Sequence, residues 1–137
     1  MRIFKIDRVS DVDVQNLQFT PDPNFRLENY FAHTFGIYQG ESTDETQLQT
    51  IRIRFAKEAA RYVEEKTWHA SQKLTKGKDG SLVLEVQLAN TNEIKSWALS
   101  FGPRATILEP ESLRQEIAND LKQILANYRP AEKARKS

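Results

Sequence analysis

The sequence predicts an α+β domain built on one antiparallel sheet, and three observations carry that expectation. Thr50-Ile51-Arg52-Ile53-Arg54-Phe55 alternates apolar and charged residues, the pattern of a strand with one covered face and one wet face. A second alternating run, Leu82 to Leu88, follows an Asp79-Gly80 pair that signals a hairpin. Two stretches with helical spacing separate these runs from each other and from a last short extended piece. Strand, helix, strand, strand, helix, strand is the ferredoxin-like βαββαβ order, an antiparallel sheet with its helices on one face.

Each element has its own local reason. Arg2 to Val9 holds β-favouring residues with charges interspersed and reads as a strand, one without a hairpin partner. Thr20-Pro21-Asp22-Pro23-Asn24 is a stiff turn, because each proline fixes its own φ and biases its predecessor away from helix. Phe25, Leu27, Tyr30, Phe31, Phe35 and Ile37 suit a short helix over about 27–33, ended by Gly36, and Gly40 to Gln47 is a polar loop. The first helix of the core unit is expected over 57–68, with Ala59, Ala60 and Val63 small enough to lie close on a sheet. Gln72 to Lys76 is a weak strand. Thr91 is the expected N-cap of the second helix, in which Ile94, Trp97, Ala98 and Phe101 share a face until Gly102-Pro103 stops it. Ala105 to Leu108 makes the fourth strand, and Pro110 opens an extra C-terminal helix with Leu113, Ile117, Leu121, Ile124, Leu125 and Tyr128 as a wide apolar stripe. Pro130 ends it, leaving a basic tail.

Composition narrows the function. With 39% hydrophobic and 28% charged residues the 137-residue chain has the make-up of a globular protein, not of a disordered one. A net charge of +1 supplies no whole-chain attraction to nucleic acid or anionic lipid, so any basic site must be local. The absence of cysteine removes disulfides, thiolate nucleophiles and thiolate metal sites, and fits a reducing cytoplasm. No stretch has the apolar length of a membrane span. The expectation is a soluble cytoplasmic protein without cofactor.

Several runs together carry a resemblance. Phe4-Lys5-Ile6-Asp7-Arg8-Val9 looks like the closing strand of the WYL domain of bacterial transcriptional regulators. Phe35-Gly36-Ile37-Tyr38, the Tyr62-Val63 helix leading to Trp68-His69-Ala70-Ser71-Gln72, Asp79-Gly80-Ser81, Glu93-Ile94-Lys95-Ser96-Trp97, and Leu99-Ser100-Phe101-Gly102 through Leu108-Glu109-Pro110 to Arg114 are similar to the region that follows it, the WCX extension. The resemblance implies an order of parts: a winged helix-turn-helix domain, a WYL domain with an Sm-like barrel that senses a ligand, often nucleic acid, and a ferredoxin-like extension that helps dimer assembly. Residues 1–20 would then be the end of a WYL domain, 21–47 a linker with a short helix, 48–129 the extension and 130–137 a basic tail. Operator DNA would be bound only through the helix-turn-helix domain, outside this chain.

Candidate site residues follow, each beside its plainer alternative. By match to the family, Lys5 and Arg8 take the two basic positions that help line a nucleic-acid or phosphate site; otherwise they are charges on a solvated strand. Lys5 stands where arginine is commoner, and an ammonium offers a point charge instead of a fork. Arg52 and Arg54 point off the packed face and suggest an anion-binding sheet surface, or cross-strand pairing with Glu85. That surface lacks the strand aromatics on which RNA-binding sheets stack bases. His33 and His69 have no metal-ligand spacing, and Trp68 and Trp97 suit core packing or an aromatic platform.

No catalytic residues are expected. An acylphosphatase of this fold needs a glycine-rich phosphate loop near the first strand, where this chain has Gln47-Leu48-Gln49. The expectation is a non-enzymatic regulatory unit that forms a homodimer through a sheet edge or helix faces. An ACT-like module that binds a small molecule is the alternative on the same fold.

Overall fold

The computed structural model describes residues 6–36 and 48–128. A short helix α1 (Leu27–Phe31) precedes the main unit, which runs β1 (Gln49–Phe55), α2 (Lys57–Glu64), β2 (Lys73–Lys76), β3 (Leu82–Leu88), α3 (Asn92–Leu99), β4 (Ala105–Glu109) and α4 (Glu111–Tyr128). The strands lie in the order β2-β3-β1-β4, with every neighbouring pair antiparallel. This is the α+β ferredoxin-like arrangement with an added C-terminal helix, as the alternation of strands and helices predicts.

Alternation decides which face is covered. Ile51, Ile53 and Phe55 of β1 and Leu82, Leu84, Val86 and Leu88 of β3 are buried on one side, against Ala59 and Val63 of α2 and Ile94 and Ala98 of α3. Aromatic rings fill the seam between the two helices. Phe55 meets Trp97 at 5.4 Å and Phe101 at 5.0 Å between ring centroids, and Trp97 meets Trp68 at 4.7 Å.

The hairpin between β2 and β3 is closed by Gly80 N–H to Gly77 O at 3.1 Å and Gly77 N–H to Ser81 O at 2.7 Å. Gly80 has φ +80°, a left-handed conformation that β-carbons disfavour, and a Cβ there would stand 3.1 Å from Lys57 Cγ. Gly80→Ala is expected to lower stability by about 1 kcal/mol, with Gly80→Asn costing less because asparagine tolerates that region. Urea denaturation of the two variants checks the order.

Four expectations are corrected. The strand over Arg2–Val9 is not formed in its described part: Ile6–Arg8 is a 3-10 turn, with Val9 N–H bonded to Ile6 O at 2.9 Å. A strand needs a ladder partner, and among the described residues no strand precedes β1. The helix expected over 57–68 ends at Glu64, because the Trp68 indole N–H reaches back to the Val63 carbonyl at 2.8 Å and satisfies a last-turn acceptor. Thr91 holds the N-cap position of α3 as expected, its carbonyl accepting the Lys95 N–H at 2.9 Å, but its side chain makes no cap bond, and Asn90 Oδ1 instead accepts the Asn92 N–H at 2.8 Å. Pro110 lies just before α4, its carbonyl accepting the Arg114 N–H at 3.2 Å. Lys5, the loop from Gly40 to Gln47 and the basic tail lie outside the described residues.

Candidate functional site

The wet face of the sheet carries a row of alternating charge. Lys73 on β2, Glu85 on β3, Arg52 on β1 and Glu109 on β4 stand in register across all four strands. Lys73 approaches Glu85 at 3.6 Å, Glu85 approaches Arg52 at 3.7 Å, and Arg52 approaches Glu109 at 3.1 Å. Arg54 pairs with Asp79 of the hairpin, whose pKa is lowered to about 2 first by hydrogen bonds from the Ser81 hydroxyl and N–H and then by Arg54 itself. Arg52 therefore takes the cross-strand alternative and Arg54 pairs with the hairpin, both side chains remaining partly accessible. Such exposed pairs add little stability, but a one-residue slip would misplace every charge in the row.

Arg8 ends the 3-10 turn and is exposed, distant in sequence from the sheet. Further along the same segment Val12, Val14, Leu17 and Phe19 are also exposed.

His69, which spacing alone marks as structural, proves to be a buried node. Its Nδ1 accepts the Ser71 N–H at 3.1 Å and lies 2.8 Å from Ser71 Oγ, which in turn accepts the Gln87 N–H at 2.9 Å. The ring is thus held neutral, with its proton on Nε2. Burial pushes its pKa below the ordinary 6.5, with the Ala32 carbonyl opposing and His33 assisting. The segment after α1 docks beside it through Ala89 N–H to His33 O at 3.1 Å and through the Phe35 ring tilted against Trp97 at 5.0 Å between centroids. The unfolded chain takes up the proton more readily than the folded one, so stability is full above pH 6.5 and falls as pH drops through that value. Thermal unfolding over that window is expected to show the loss, and His69→Asn to flatten it.

The third feature is α4. Its first half is held down: Leu113 is buried, Ile117 packs on the core, and Lys95 of α3 bonds both Glu116 and Asp120. Those two carboxylates, Asp120 foremost, raise the Lys95 pKa. Beyond Asp120 the helix runs on with Leu121, Ile124, Leu125 and Tyr128 exposed. Ile117, Leu121 and Ile124 line one side of an apolar groove of about 610 Å³, and Ala98, Leu99, Pro103 and Ile107 contribute to the rest of its lining. An 18-residue helix is about 27 Å long, more than a five-residue strand beside it can cover. Periodicity announced the stripe; it could not announce that half of it stays uncovered.

No group of three or more His, Asp or Glu side chains among the described residues is arranged to hold a metal ion, and no helix among them is long and apolar enough to cross a membrane. A protein-family model, the WCX domain, matches residues 47–125, more than half of the chain. The chain belongs to the WCX domain family. The match covers the sheet, both helices of the ferredoxin-like unit and most of α4, and agrees with the extension of WYL-type proteins that the sequence resembles. No curated protein matches the chain. The WCX domain thus marks a regulatory C-terminal region of a WYL-type protein.

Proposed function

We propose that this chain is the C-terminal dimerisation region of a bacterial, cytoplasmic WYL-type helix-turn-helix regulator, coupling ligand sensing to DNA binding. It is non-enzymatic in this reading, and its first partner is a second copy of itself. The observation that carries the reading is the exposed C-terminal half of α4 beside an apolar groove, with Leu125 55% and Tyr128 83% accessible. Contiguous apolar surface of this kind on a folded unit marks an interaction site. A twofold dimer uses one patch twice, and here ridge and groove share Leu121 and Ile124, so the patch is able to serve as both halves of an isologous contact.

The exposed Val12, Val14, Leu17 and Phe19 support the reading of residues 1–20 as part of a WYL domain, since the WCX unit does not cover them. In the intact protein Lys5 and Arg8 would then contribute cations to a phosphate-bearing nucleic-acid or nucleotide ligand. Sedimentation equilibrium of the chain at high micromolar concentration tests assembly: a dimer is expected, and a monomer would end the proposal.

A further inference from the structure

On the opposite flank of α3 from the α4 groove lies a second concavity, of about 440 Å³, between α2 and the turn after α3. Tyr62, Trp97 and Phe101 form the aromatic part of a mixed lining. Trp97 and Phe101 stand 5.1 Å apart, Phe101 and Tyr62 stand 5.9 Å apart, and Tyr62 is 48% accessible. Ala59, a small side chain among large ones, leaves the space open. Ser100 and the opposite charges of Arg104 and Glu58 make up its polar part.

Among the described residues those two charges have no ionic partner. Within residues 48–128 the arginines at 52, 54, 61 and 114 each meet a carboxylate, and Arg104 does not. It is nevertheless fixed in place: its Nε donates to the Phe101 carbonyl at 3.1 Å, and its own carbonyl accepts the Ala56 N–H at 2.8 Å. The terminal nitrogens of its guanidinium are left for a ligand. Glu58, two residues beyond Ala56, is close to Arg104 in the fold yet forms no ion pair with it. Aromatic rings beside an arginine and a glutamate that lack ionic partners among the described residues match a small molecule that has a ring and both charges.

We propose that this concavity binds a small aromatic zwitterion, of the class of a free aromatic amino acid, its ring on Tyr62, Trp97 and Phe101, its carboxylate on Arg104 and its ammonium on Glu58. A phosphate-bearing ligand fits less well, because Glu58 repels its double charge. A neutral aromatic leaves both ionic groups unused.

The probe is L-phenylalanine, titrated into the whole chain by calorimetry and followed by the fluorescence of the two tryptophans. Saturable binding at one site per chain is expected, with 3-phenylpropionate, which lacks the ammonium, and phenethylamine, which lacks the carboxylate, each at least about tenfold weaker. Glu58→Gln and Arg104→Met, both at exposed positions and so expected to leave the melting temperature unchanged, should each weaken phenylalanine by about tenfold or more. Absence of saturable binding up to millimolar phenylalanine overturns the proposal, as does binding that neither variant weakens. Equal affinity for 3-phenylpropionate also overturns it, in favour of a carboxylate site on Arg104 alone. The assembly reading is untouched by any of these results, since it rests on α4 and is read by sedimentation.

Discussion

Phe55→Ala is expected to lower the stability of this domain by about 3–5 kcal/mol, the range for removing a fully buried aromatic ring. Phe55 is 0% accessible at the end of β1, and its ring makes edge contacts with both Trp97 and Phe101. The loss includes the apolar transfer term and a cavity that the sheet on one side and two helices on the other cannot readily collapse. Domains are stable by only about 5–15 kcal/mol in total, so the variant should unfold at a much lower urea concentration. Phe35→Ala provides the contrast: Phe35 reaches the same cluster from outside the sheet unit and is only partly buried, so its loss should cost clearly less. A Phe55→Ala variant within about 1 kcal/mol of the parent would mean that the aromatic seam does not hold α2 and α3 to the sheet.

Leu121→Glu combined with Ile124→Glu should leave the fold intact and abolish self-association. Both side chains project past the last anchor of α4, the Lys95–Asp120 pair, and neither belongs to the buried core. Substitution at such exposed positions typically changes stability by no more than about 0.5 kcal/mol. In a twofold contact each side chain is counted twice. Burying a leucine or isoleucine side chain contributes about 1.5–3 kcal/mol, so the dimer should weaken by at least about a thousandfold. Sedimentation equilibrium reads the change, and circular dichroism confirms the fold. A double variant that remains a dimer would move the contact away from α4.

Much of the architecture was legible because it is written in local periodicity. Ile51, Ile53 and Phe55 against Arg52 and Arg54 name a strand and its covered face, and Asp79-Gly80 names the turn that pairs its neighbours. The failures were at places where a distant group decides. The indole of Trp68 ends α2 at Glu64, and the side-chain bond at the start of α3 comes from Asn90 and not from Thr91 at the N-cap. Arg2 to Val9 has the residue types of a strand, yet strand type is a half-statement until a partner exists, and Ile6–Arg8 turns instead. For His69 spacing argued only against a metal ligand: its role depends on Ser71, Gln87 and the segment near Ala32, joined only by folding.

Sequence by itself determined the class of fold, the strand order it permits and the identity of the core, because burial on one side of a sheet imposes a two-residue alternation that any reader of the chain can see. Tertiary structure alone decided which amphipathic faces found a cover and which charges found a counter-charge. Leu113 and Leu121 belong to the same stripe, and only the length of the neighbouring strand separates them; Arg52 and Arg104 are the same residue type, and only the register of the sheet gives one of them two carboxylates and the other none. Periodicity describes what a segment has to offer, whereas coverage and pairing depend on what the rest of the molecule brings opposite it.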